Sequence, residues 1–292
     1  MKKLIQLLSV AGLSLGLLAA CGTGNSDAAE SGASNNNNNN GNENEVEELE
    51  TLVIGASNIP HAEILEFVQP LLEEAGVTID IKPFSDYILP NRGLDAGELD
   101  ANYFQHVPYL ESQIAEHGYD FVNVGGVHIE PIGVYSQEYS SLDELPDGAE
   151  IIMSDSTSDH GRILMMLEDY GLITLAEGAG IGATEDDIVD NPRNFQFRAN
   201  VEAALLPRAY LNGEGDAVLI NSNFALDADL NPMEDAIALE SADQDNPYVN
   251  VLVVNSGDED DVRIVKLLEV LQSEEVRNFI LEQYSGAVVP AE

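Results

Sequence analysis

The chain has 292 residues, with 53 acids against 11 bases for a formal net charge of −42, one cysteine and no tryptophan. Its 44% hydrophobic content is enough to bury the cores of one large domain or two lobes, which excludes a disordered acidic chain. The lone cysteine excludes an intramolecular disulfide framework and a multi-cysteine zinc site, and so negative a chain repels phosphate backbones, which argues against a nucleic-acid partner.

Residues 1–20 start with Met1, Lys2 and Lys3 and continue as an apolar stretch from Leu4 to Ala20, short for a membrane span and patterned as a secretory signal. Leu18-Ala19-Ala20-Cys21 places small residues before the single cysteine and resembles the lipobox of bacterial lipoproteins, where the cysteine is lipidated and begins the mature chain. A generic signal followed by an incidental thiol is the plainer alternative. Residues 21–50 change to Gly, Ser, Asn and Glu, with an uninterrupted run from Asn35 to Asn40. Such sequence cannot offset the entropy of ordering a backbone, and its like charges extend it, so it reads as an acidic disordered tether.

From Thr51 onward short β-rich runs alternate with amphipathic helical patterns, which predicts an α/β architecture with mostly parallel sheets. Leu52 to Ile54 begins a strand. Pro60 takes a first helical position, and Ile64, Leu65, Val68, Leu71 and Leu72 repeat at helical spacing. A strand at Val77 to Ile81, a helix at Pro90 to Ala96, a strand at Ala101 to Phe104, a helix at Pro108 to His117 and a strand at Phe121 to Val124 complete a first lobe over residues 51–130. The second lobe, residues 131–240, has strands at Ile151 to Met153, Phe195 to Phe197 and Ala217 to Ile220. Its helices run through Ile163 to Leu167 and Glu202 to Tyr210. Residues 241–292 supply the strand Val249 to Val254 and two helices, Asp260 to Gln272 and Glu274 to Tyr284, which return to the first lobe. Two crossings between lobes place a cleft at the ends of the strands, where α/β sheets present ligands.

Catalytic signatures are missing. The histidines His61, His106, His117, His128 and His160 are scattered, and His61-Ala62-Glu63 lacks the second histidine of a helical zinc motif. There is no Gly-x-Ser-x-Gly elbow, and Gly178-Ala179-Gly180-Ile181-Gly182 has neither the spacing nor the preceding strand of a dinucleotide loop, so it reads as a flexible connection. Among so many acids a close carboxylate pair carries no information. The bases carry more because they are scarce. Arg162 follows the polar loop Asp155-Ser156-Thr157-Ser158-Asp159-His160-Gly161 into a helix, where free N–H groups and a guanidinium fork suit a carboxylate, although a surface ion pair is an equal alternative. Tyr103-Phe104-Gln105-His106 and Pro108-Tyr109 gather aromatics at a strand end, as core or as ligand box. A thioether side chain would pack well against such rings.

These segments carry a resemblance. From Ile54 on, the chain resembles the methionine-binding lipoproteins of ABC importers, the MetQ/NlpA family. The matching segments of the first half are Pro60 to Leu65, Asp86-Tyr87, Leu89-Pro90-Asn91, Gly97 to His106, His128-Ile129-Glu130-Pro131 and Ser141 to Pro146. Those of the second are Asn191-Pro192, Leu206-Pro207-Arg208, Asn246 to Asn250 and Gly286-Ala287-Val288. The resemblance implies a two-lobed periplasmic-binding-protein fold, type II-like, with the ligand cleft between the lobes. It also implies a role without catalysis: capture of L-methionine or a close relative such as a methionine-containing dipeptide, for an ABC permease and its ATPase. By position, Tyr87, Phe104, His106 and Tyr109 match the side-chain pocket, Arg162 the carboxylate clamp, and Asn221 and Asn250 the amides at the ligand's polar end; Glu130 lies in a matching segment. No cofactor, metal or catalytic residue is implied, and Cys21 carries the lipid that holds the chain on the outer face of the cell membrane. One departure is local: where the family has Asn-Asp-Pro-Thr-Asn, this chain has Asp155-Ser156-Thr157-Ser158-Asp159. A surface enzyme and an adhesion lipoprotein are the alternatives from other classes.

Overall fold

The computed structural model describes residues 50–242 and 246–291. The signal sequence, Cys21 and nearly all of the tether lie outside the described residues. In chain order the strands are β1 (Leu52–Ser57), β2 (Ile79–Phe84), β3 (Ala101–His106), β4 (Phe121–Ile129), β5 (Gly133–Tyr135), β6 (Glu150–Ser154), β7 (Thr174–Leu175), β8 (Ile188–Asp190), β9 (Gln196–Val201), β10 (Ala217–Ile220), β11 (Ala238–Leu239), β12 (Val249–Asn255) and β13 (Val289–Pro290). They form a six-stranded sheet of order β13-β4-β12-β3-β1-β2, a five-stranded sheet of order β11-β5-β10-β6-β9, and the small pair β7-β8. The molecule is thus α/β with two mixed sheets, one to each lobe.

In the first sheet β1 leads through α1 (Glu63–Glu74) to its parallel neighbour β2, and α2 (Leu89–Asp95) carries the chain back to β3 on the other side of β1. Ile64, Leu65, Val68 and Leu72 form the buried stripe of α1, and Pro60 enters this helix through a turn over Asn58–Ala62. After α3 (Val107–His117) comes β4, and β12 inserts between β3 and β4, antiparallel to both. The expectation of mostly parallel sheets is therefore corrected to mixed sheets in both lobes, since β5 and β11 also run antiparallel to their neighbours. Helical and strand periodicity reports which residues face a core; it does not report the direction in which a returning strand enters a sheet.

In the second lobe β6 leads into α4 (Thr157–Asp169), and β9 and β10 flank β6 in parallel. The helix expected over Glu202 to Tyr210 starts late, as a short 3₁₀ turn at Ala203–Leu205 followed by α5 (Leu206–Leu211), with Pro207 in the first turn where its missing N–H costs nothing. Then come α6 (Ser222–Asp227), α7 (Pro232–Asp235), and, after β12, α8 (Val262–Leu271) and α9 (Glu274–Tyr284). One face of the six-stranded sheet packs Leu52, Ile54, Tyr103, Leu252 and Val254 against α1, α8 and α9; the other packs Val251 and Val253 against Leu94 and Leu110 of α2 and α3. The second sheet has its own cores, with Ile151, Met153 and Leu219 on one face and Ile152, Val218 and Ile220 on the other. The chain crosses between sheets just after β4 and again between β11 and β12, so Glu130 and Glu240 stand on the two crossings.

Candidate functional site

The strand ends of both sheets converge on one pocket, lined by Tyr87, Phe104, Gln105, His106, Tyr109, Glu130, Ser156, Asp159, Arg162, Asn221, Ser222, Asn223 and Asn250. Tyr87, Phe104, His106, Tyr109, Arg162, Asn221 and Asn250, the residues singled out in the sequence, are all among them. Each arrives by a simple route. Phe104 and His106 end β3, and Tyr109 follows in the first turn of α3, whose Pro108 and His106 cap its start. Arg162 lies in the second turn of α4, Asn221 is the N-cap of α6, and Asn250 is the second residue of β12. Tyr103, the other aromatic of the β3 cluster, belongs instead to the core because successive strand residues face opposite ways.

The aromatic wall is made of Tyr87, Phe104 and Tyr109, with ring centroids about 6 Å apart in tilted and edge-on pairs. The Tyr87 hydroxyl donates to Asn223 Oδ1 at 2.6 Å and the Tyr109 hydroxyl donates to the Tyr87 carbonyl at 2.9 Å, so the rings are fixed before any ligand enters. The first of these bonds also joins the lobes, since Asn223 belongs to α6. Below the wall, Asn91, Asn102 and Gln105 exchange amide hydrogen bonds of 2.8–3.0 Å that tie α2 to β3.

Arg162 is buried and already engaged. Its Nε donates to both carboxylate oxygens of Glu240 at 2.8 Å, Nη2 donates to Glu240 and to the Glu130 carbonyl, and the guanidinium lies 4.5 Å from the Tyr248 ring centre. Glu240 also accepts from the Ile132 N–H at 3.1 Å. One arginine of the second lobe thus grips both crossings. Among the described residues no hydrogen bond uses Nη1. Burial alone would lower the Arg162 pKa, but the charge and hydrogen bonds of Glu240 outweigh it and raise it.

A buried chain of polar groups lies behind Asn250. The Tyr103 hydroxyl meets His128 Nδ1 at 2.5 Å, His128 Nε2 meets Glu130 Oε1 at 2.8 Å, and His61 Nε2 lies 3.3 Å from the same oxygen and 3.0 Å from Asn250 Oδ1. Burial lowers the pKa of His61 to about 4 and of His128 to about 3, and raises that of Glu130. With both imidazoles neutral, the network assigns the proton of each to Nε2. His61 then donates to Asn250 Oδ1, which holds the Asn250 amide with its Nδ2 uncommitted. Sequence spacing gave no sign of this cluster, because His61 stands before α1 and His128 and Glu130 at the end of β4. It brings three metal-ligating groups within 4.8 Å, yet the His128 Nε2–H is used as a donor to Glu130 and the His61 Nε2–H as a donor to Asn250.

Asp159, which the sequence offered no reason to choose, is 1% exposed in the first turn of α4. Its Oδ2 accepts from Ser154 Oγ at 3.0 Å and from Asn221 Nδ2 at 3.1 Å, while Oδ1 has only a 3.5 Å contact with His106 Nε2 across the cleft. Burial opposes its ionisation, but His106, Arg162 and Asn221 outweigh that and hold the carboxyl below its ordinary pKa. The one available signal was its place three residues before Arg162 on a helix, which sets the two side chains on one face.

The profile of the NlpA lipoprotein family matches residues 52–292. A Bacillus subtilis protein, methionine-binding lipoprotein MetQ, is 46% identical over 277 residues, which is 94% of each chain. Among solved structures, a pheromone cOB1 precursor/lipoprotein of the YaeC family from Enterococcus faecalis is 49% identical with a TM-score of 0.80, covering 83% of this chain and 100% of its own. A nutrient binding protein from Burkholderia cenocepacia bound to methionine is 41% identical with a TM-score of 0.77, covering 82% and 100%. On the extent of these matches, the chain belongs to the NlpA lipoprotein family.

Proposed function

We propose that the protein is a lipid-anchored binding protein that captures free methionine outside the cytoplasm and presents it to the permease of an ABC importer driven by its ATPase. The observation that carries the reading is a single pocket, walled by fixed aromatic rings at one end and by Arg162, Asn221 and Asn250 at the other. That is the complement of a small zwitterion with a soft apolar side chain. The relative bound to methionine supports the choice of ligand. Tyr87, Phe104 and Tyr109 would enclose the thioether with His106 at their rim, while Arg162 Nη1 and Asn250 Nδ2 would donate to the α-carboxylate. Ligand contacts from both lobes favour the closed arrangement of the cleft, and capture and release need no covalent step. The anchor is Cys21 behind a signal at residues 1–20, with residues 21–50 as the tether.

The test is a thermal-shift screen of the mature chain over free amino acids and short methionine-containing peptides, followed by calorimetry. Methionine is expected to raise the melting temperature by mass action, and Arg162→Ala to weaken its binding by at least about tenfold. A shift with a dipeptide but not with methionine would reassign the ligand; no shift with any of them would overturn the reading.

A further inference from the structure

The pocket's polar end is not symmetric in what it offers. Asn250 is tied through its oxygen, by His61 at 3.0 Å, and so presents a donor. Asn221 is tied through its nitrogen, by Asp159 at 3.1 Å, and so presents an acceptor. Its Oδ1 is buried and has no partner, on a residue that is 6% exposed and lines the pocket. A carboxylate can only accept, so Asp159 forces this orientation; an amide at position 159 could bond the Asn221 side chain either way round. An orphan acceptor at such a place costs free energy until something donates to it.

Asp159 Oδ1 is the second under-used acceptor on the same wall, with a single long contact to His106. The charges agree with the geometry. Arg162 is paired with Glu240 and reaches Asp159 only through its field, so the one ionisable group in contact with the Asp159 carboxylate is His106, across the cleft. A ligand group that brings positive charge and several N–H donors would satisfy both oxygens together.

We propose that Asp159 is a specificity-determining residue that, with Asn221 Oδ1, seats the α-ammonium group of the ligand. This rests on the methionine reading above and adds a requirement to it: the ligand must carry a free, charged amino group on the carbon next to its carboxylate or amide carbonyl. N-acylated methionine and the analogue without nitrogen are excluded, because each leaves the Asp159 carboxylate buried and unpaired. A dipeptide with a free N-terminus passes this filter, and a blocked one does not.

The experiment is calorimetry of the full folded chain, parent and Asp159→Asn, with L-methionine, 4-(methylthio)butanoic acid and N-acetyl-L-methionine. The parent is expected to prefer methionine over the butanoic acid by about 100-fold or more, as a site built around an N–H group rejects a ligand that lacks it. In Asp159→Asn that preference should shrink by at least about tenfold, chiefly through weaker methionine binding, with the butanoic acid bound as well as before or better. Equal losses for both ligands, or an unchanged ratio, would overturn the role of Asp159. Independently of whether the variant folds, a parent that binds the butanoic acid as tightly as methionine overturns it too. If the parent fails to bind methionine at all, the proposed function falls and takes this inference with it, an outcome separate from the other two.

Discussion

Several side chains in this site have their orientation set by a neighbour rather than by a ligand. His61 and His128 are the clearest case, since His61 holds Asn250 while His128 is held between Tyr103 and Glu130. Their lowered pKa values carry a stability consequence whose sign is definite. Below about pH 6.5 the unfolded histidines take up protons that the native ones refuse until about pH 4 and about pH 3, so native stability is fully present above 6.5 and is lost as the pH falls through that window. Glu130 works in the opposite sense, because its raised pKa lets the native state hold a proton that the unfolded chain has released. One acid against two bases leaves acidification destabilising. For His128 alone the loss between pH 7.5 and 5.0 comes to about 2 kcal/mol. Urea unfolding at the two pH values should therefore show a smaller drop in His128→Gln than in the parent, since glutamine can still bond Tyr103 and Glu130 but does not titrate. Equal drops would mean that His128 is not buried neutral.

At the level of elements, α4 positions both Asp159 and Arg162, and its place is set by a contact that has no polar chemistry. Gly161 lies against the 3₁₀ turn at Gly180–Gly182, so closely that a Cβ there would stand 2.1 Å from the Ile181 carbonyl oxygen. The glycine-rich stretch that read as a flexible connection is thus a packing surface for α4. In an open helix Gly→Ala would stabilise by roughly 1 kcal/mol. Here overpacking costs roughly 1–3 kcal/mol and wins, so Gly161→Ala should lower the melting temperature and, by displacing Arg162 next to it, weaken methionine binding. Gly182→Ala, whose Cβ would meet nothing within 4 Å, should leave both unchanged in the same scan. This contact also marks the limit of what could be read from the sequence. The order of strands and helices was legible from apolar spacing, and the scarcity of bases made Arg162 stand out. The antiparallel entry of β12, the seat of Gly161 and the reach of Arg162 to Glu240, 78 residues away, are long-range facts that no local pattern encodes. Asp159 and Glu240 were hidden by the same acidity that exposed the arginine, and Glu130 was marked only by its place in a segment matching the family.

For the molecule as a whole, that acidity is now placed. The signal and tether hold seven acids and two bases, leaving 46 acids against 9 bases, a charge of −37, from Thr51 onward. Among the described residues only two acids, Glu130 and Asp159, are buried, so the excess lies on the surface. The bases there are mostly committed to single partners, as in Lys82–Asp80, Arg198–Glu214, Arg263–Asp261 and Lys266–Glu269. What remains is a shell of carboxylates without counter-charge, whose mutual repulsion opposes the compact state. Membership of the family accounts for the pocket and not for this shell, which fits a chain adapted to concentrated salt. Sodium chloride screens such repulsion over about 10 Å at 0.1 M and about 3 Å at 1 M, so the melting temperature should climb steeply across that range and level off beyond it. Each 1 kcal/mol of relieved repulsion would read as roughly 2–4 °C for a domain of this size. Sucrose at matched osmolality, which favours compact states without screening charge, should lack the early steep rise. A flat response to salt would mean that the surface charges are too far apart, or too well hydrated, to strain the fold, and the salt-adapted reading would be withdrawn.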